Sequence, residues 1–187
     1  MLTKHHVILT ALAATLSLTV GCASHQASEQ SPSKTSKAAA QLGATHYTVV
    51  NFPQGQDTLP TSELSKLRDL AVTAQEHGKV QEIQVLAWAD REYPVDGQKV
   101  SAKDSDLADN RAVTIKEYLK KDLNSSADIE NHNMAKRPGV FAELVKSDDF
   151  EVKSTFEDTG AAPNDVGTRQ ALVGNKASKA IVLIKYE

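Results

Sequence analysis

Side chains able to do chemistry are sparse in this chain, and most catalytic patterns fail on them. The six histidines stand at 5, 6, 25, 46, 77 and 132. The first three lie in a leader and a polar stretch, and none of the rest has a partner at metal-ligand spacing. Ser31-Pro32-Ser33-Lys34 satisfies a Ser-x-x-Lys pattern, but it falls in that same polar stretch, where no oxyanion hole can be built. No Gly-x-Ser-x-Gly elbow and no phosphate-binding glycine loop occurs. Asp148-Asp149 reads as a turn before a strand rather than a metal site. No catalytic residue, metal or cofactor is therefore expected, and no enzyme. What remains is an acid and a base in two segments, Ile83-Gln84-Val85-Leu86-Ala87-Trp88-Ala89-Asp90 and Leu107-Ala108-Asp109-Asn110-Arg111-Ala112-Val113. The plainest chemistry for Asp90 and Arg111 is to pair with each other, which at a surface contributes little.

The elements that would position this pair follow from periodicity. His46 to Phe52 is rich in β-formers, and Pro60 suits the first turn of a helix. Leu64, Leu67, Ala71 and Ala74 recur at helical spacing, and Gly78 provides a stop. Val80 to Trp88 is a second strand, with Ile83, Val85 and Ala87 on one side and Leu86 and Trp88 on the other. After a polar loop, Asp106 is placed to cap a helix carrying Ala108, Ala112, Ile115 and Leu119 on one face. A short helix is expected around Val140 to Lys146. Phe150 to Phe156 alternates as a third strand, and Ala180 to Tyr186 closes the chain as a fourth. The order β-α-β-α-(α)-β-β predicts an α+β fold. It is a mixed sheet with helices packed on one face and an extra helical insertion before the third strand. The first two strands are expected to be parallel through a right-handed crossover.

Ahead of this domain the composition changes. Val7 to Val20 carries no charge but is shorter than the ~20 apolar residues a membrane span needs, so residues 1–21 read as a secretory leader. Leu18-Thr19-Val20-Gly21-Cys22 resembles the bacterial lipobox. Cys22 is the only cysteine, so it has no partner for an internal disulfide, and lipidation accounts for its number and position together. Residues 22–45 are small and polar, the composition of a flexible tether, leaving 46–187 as one domain. The formal net charge is −3, which lacks the basic footprint of a nucleic-acid partner.

Here the two segments acquire a context. The strand end Ile83 to Asp90 and the helix Leu107 to Leu119 resemble the OmpA-like C-terminal domain, the peptidoglycan-binding module of outer-membrane proteins and lipoproteins. Phe52, Gly55 and Leu59 fit that family's first strand and the turn that follows. The resemblance covers Tyr47 to Leu123 best. It implies that Asp90 receives the ammonium of diaminopimelate in the peptidoglycan stem peptide. Arg111 would grip the carboxylate on the same carbon through its planar fork, aided by a nearby helix N-terminus. Asp104 falls where the family has Asn, and Lys179 near a family Arg; both are carried over as ligand-binding candidates.

The chain departs from the family at Ala87, Ala89 and Ala108, which replace Gly, Thr and Ser or Thr. It also has a longer Asp90-to-Arg111 loop and no Gly-x-Gly-Glu-x-x-Pro stretch. The resulting expectation is an outer-membrane lipoprotein on the periplasmic face, anchored through Cys22 and bound to peptidoglycan. The rival is an interaction module of an envelope complex, for motility or secretion, that has lost wall binding and contacts other envelope proteins.

Overall fold

A computed structural model describes residues 32–90, 99–121, 125–137, 145, 147–161 and 178–187. The leader and Cys22 lie outside the described residues, as does nearly all of the helix expected over Val140–Lys146. Among the described residues these elements follow one another: α1 (Lys34–Gln41), β1 (His46–Asn51), α2 (Thr61–His77), β2 (Val80–Ala87), α3 (Ala102–Lys121), β3 (Asp128–Asn133), α4 (Asp148–Asp158) and β4 (Lys179–Tyr186).

The strands form one mixed sheet in the order β1-β4-β2-β3. β4 is antiparallel to both of its neighbours, β1 and β2, while β2 and β3 run parallel. β1 and β2 therefore point the same way but do not touch. The parallel relation expected of them holds, with β4 lying between them; its run from Ala180 to Ile184 is wholly buried and belongs in the middle of a sheet.

Alternation along β2 and β4 gives each face its own core. Ile83, Val85, Ala87, Ala180, Val182 and Ile184 pack with Leu67, Leu70 and Ala74 of α2 and Ala112, Ile115 and Leu119 of α3. On the reverse face, Leu86, Trp88, Ile181 and Leu183 pack with Ala38, Ala39 and Leu42 around α1 and Val152 and Phe156 of α4. Helices thus cover both faces, not the single face expected.

Three local corrections explain that second layer. Residues 34–45 are not tether: Ser33 caps α1 by accepting from the Ser36 amide, and the small Ala38 and Ala39 let the helix approach closely enough to be buried. The folded unit begins at Pro32. Phe150–Phe156 is helix, not strand. Ser147 accepts from the Phe150 amide, and Asp148, Asp149 and Glu151 fill the first turn, where carboxylates meet the positive end of the helix. The third strand is instead β3, whose sequence is mostly polar and whose deeply buried residues are Ile129 and His132.

α3 starts five residues earlier than an Asp106 cap implies. Ser101 accepts from the Asp104 amide at 3.0 Å, and its hydroxyl donates to the Asp104 carboxylate at 2.6 Å.

Candidate functional site

Arg111 lies on the sheet-facing side of α3, one residue before Ala112 and one turn from Ala108 and Ile115, all buried. The small alanines leave room for a guanidinium in a place where a charge is rarely tolerated, and Arg111 is 0% exposed. A buried cation needs acceptors, and the structure supplies four. Nε donates to the Gln56 carbonyl at 2.8 Å, Nη1 to the Trp88 carbonyl at 2.9 Å, and Nη2 to the Pro53 carbonyl at 3.2 Å. Nη2 also donates to Asp90 Oδ1 at 2.7 Å. The Phe52 ring lies 4.9 Å from the guanidinium carbon and adds a cation–π contact. A guanidinium has five N–H groups, so at most one is left for a ligand. The residue thereby ties the turn after β1 to the end of β2.

Asp90 stands just beyond the C-terminal end of β2. Its Oδ1 accepts from Arg111 and from the Ser178 hydroxyl at 2.7 Å, and its Oδ2 accepts from the Gly55 amide. Gly55 can aim that amide because its φ of 70° lies in the left-handed region, which side chains disfavour. Burial pushes the Asp90 carboxyl up. The hydrogen bonds from Arg111, Ser178 and Gly55, together with the Arg111 charge, outweigh it and hold the group below its usual range. The side chain keeps 16% exposure against none for Arg111. A carboxylate offers about four lone-pair positions, so Asp90 retains roughly one for an incoming donor.

The four expected binding residues are thus not one constellation. Asp90 and Arg111 converge. Asp104 is engaged with Ser101 in the first turn of its own helix, seven residues before Arg111, or roughly 10 Å along the axis. That spacing also removes the expected help from the helix N-terminus, since α3 begins nine residues before Arg111. Lys179 opens β4 on the opposite face of the sheet, with Nζ 5.3 Å from the Trp88 ring centroid. Gly55, Ser178 and the three carbonyls complete the site instead. Backbone acceptors carry no side-chain signature, and Ser178 is brought in by the central position of β4.

Two other features bear on what the molecule can do. A cavity of about 440 Å³ lies at the opposite end of the sheet, lined by Ala74, Gly78, Val80, Ser126 and Asp128 among others, and it shares no residue with the Asp90–Arg111 site. Among the described residues, no group of three or more His, Cys, Asp or Glu side chains is arranged to hold a metal ion. None of the described helices is long and apolar enough to cross a membrane.

No protein-family model matches the chain, and a search of curated proteins likewise finds no match.

Proposed function

We propose that the chain is a non-catalytic envelope tether. Its lipid on Cys22 holds the outer membrane, and its OmpA-like domain binds peptidoglycan through diaminopimelate at Asp90 and Arg111. The observation that carries the reading is the 2.7 Å contact between the Asp90 carboxylate and the Arg111 guanidinium at the end of β2. In the absence of ligand the two charges neutralise each other. A group with an ammonium and a carboxylate on one carbon can insert between them, replacing one internal ion pair with two and leaving the net charge unchanged. Asp90, with its residual exposure and spare lone pair, meets the ammonium first. The Nη2–Oδ1 bond then opens to release the fork to the carboxylate.

Complete burial of Arg111 and the use of four of its N–H groups favour a second reading. In it the same pair is purely structural, and the domain serves as an interaction module of an envelope complex.

Binding to purified sacculi separates the two. For the tether, wild-type protein sediments with sacculi and free diaminopimelate competes it off. The backbone resonance of Gly55, whose amide is bonded to Asp90, shifts on addition of that ligand. An Asp90→Asn variant that remains folded by near-ultraviolet circular dichroism should lose retention. Equal retention of wild type and variant, or none for either, rules out this site as the wall contact. Cys22→Ala should release the protein from membranes; continued membrane fractionation would remove the lipid anchor.

A further inference from the structure

We propose that His46 and His77 form a two-imidazole site for a divalent transition-metal cation, Cu2+ foremost, at the end of the sheet opposite Asp90. Three elements meet there. His46 opens β1, Tyr186 closes β4 and His77 is the last residue of α2. The ring centroids of His46 and His77 lie 4.3 Å apart with planes inclined at 57°, and the Tyr186 ring stands 5.6 Å and 6.5 Å from them.

The hydrogen bonds of the two rings decide which nitrogens are available. His77 Nδ1 is 2.8 Å from the carbonyl oxygen of Thr73. A carbonyl only accepts, so Nδ1 carries the proton, and in the neutral ring Nε2 keeps its lone pair. His46 Nδ1 is 3.1 Å from the Tyr186 hydroxyl, which can either accept or donate; the site takes the tautomer in which Nδ1 donates and Nε2 keeps its lone pair. Anchoring one ring nitrogen to a carbonyl or another acceptor is how metal-binding imidazoles are oriented and made more basic.

Distance and charge fit the same conclusion. Two imidazoles sharing one ion through bonds of ~2.0–2.1 Å place their centroids roughly 4.5–5 Å apart, close to the 4.3 Å between the free rings. His77 occupies the last turn of α2, where the negative end of the helix dipole favours a cation. Imidazole suits copper, zinc and nickel, and affinity rises along the divalent series to Cu2+. Among the described residues no third His, Cys, Asp or Glu completes the set, so water fills the other coordination positions. The site uses none of the residues of the wall-binding reading, and either can fail without the other.

The test is titration of the full chain with Cu2+ alone, followed by electron paramagnetic resonance. The expected result is one Cu2+ bound per chain with hyperfine coupling from two imidazole nitrogens. His46→Gln and His77→Gln should each weaken binding about tenfold or more, with the near-ultraviolet spectrum preserved. The control variants His25→Gln and His132→Gln should bind as wild type does. Undiminished binding by the His46→Gln, His77→Gln double variant overturns the assignment, as does a site lost through either control.

Discussion

Replacing Arg111 by methionine keeps a long unbranched side chain and removes only the fork. Four acceptors then lose their donor: the carbonyls of Pro53, Gln56 and Trp88, and the Asp90 carboxylate. They do not lose equally. The Trp88 bond is fully buried, whereas the other three are partly within reach of water. The Trp88 carbonyl therefore carries the whole cost of an orphaned acceptor, about 1–3 kcal/mol, and the others a fraction of it. Removing one partner of a buried ion pair costs about 3–5 kcal/mol, tempered here by the 16% exposure of Asp90.

The expected loss for Arg111→Met is about 3–5 kcal/mol, a large share of the ~5–15 kcal/mol that holds a typical domain together. Asp90→Asn has one carbonyl oxygen in place of two acceptors, so it can serve the Gly55 amide or the Arg111 and Ser178 donors but not both. It should lose about 1.5–3 kcal/mol, the value of one charged hydrogen bond. The double variant should lose less than the sum, since each single change already breaks the shared contact. Urea unfolding followed by fluorescence reads all three. Trp88 is the only tryptophan, and its ring packs 5.9 Å from that of Phe156. An Arg111→Met protein destabilised by under about 1 kcal/mol, with an unchanged dependence on urea, would refute the reasoning. The carbonyls would then be satisfied by water, and the pair would be marginal to the fold.

Acid should act through two carboxylates. Asp90 and Asp149 both sit below the ordinary range, because although burial raises each, hydrogen bonds from Arg111, Ser178 and Gly55 in one case and from His132 and Lys153 in the other prevail. The unfolded chain then takes up these protons before the native one does. Stability is full above the unfolded value near ~3.9 and declines as pH falls through the lower folded values. A urea midpoint identical at pH 3 and pH 6 would contradict this. Gly55→Ala forces a side chain to a φ of 70° with no clash closer than 4.0 Å, so the backbone alone should cost about 1–2 kcal/mol, read from the same urea curves. Ser147→Ala removes the cap of α4 and should cost about 1 kcal/mol, with amide exchange accelerated at Phe150.

What could be read from the residues tracks how each element is buried. β1, α2, β2 and α3 announce themselves because each has one strong apolar period. The α3 set Ala108, Ala112, Ile115 and Leu119 makes up the apolar residues found buried on that helix, beside Ser105 and Arg111. β3 gives no such signal: Asp128-Ile129-Glu130-Asn131-His132-Asn133 is an edge strand held by parallel pairing with β2, and its backbone bonds are indifferent to side-chain type. α4 misleads for a different reason. Phe150, Val152 and Phe156 fit a period of two, but Val152 and Phe156 are also four apart, and the Ser147 cap with its acidic first turn decides for helix. At the site, the two charged residues were legible and their surroundings were not. That Arg111 would be ringed by carbonyls, and that Ser178 would reach Asp90 across 88 positions, follows from the placing of β4.

That placing also dictates an order of events. β1 and β2 have no hydrogen bonds to each other, and the sheet acquires its middle only when residues 179–186 dock between them, pairing His46 with Ile184 across most of the chain. Contacts this distant in sequence must close long loops before they yield any stabilisation, which slows folding. A chain emerging from synthesis therefore stays open until its C-terminal strand is available. Under the export proposed above, that delay would keep the polypeptide unfolded until it has crossed the membrane.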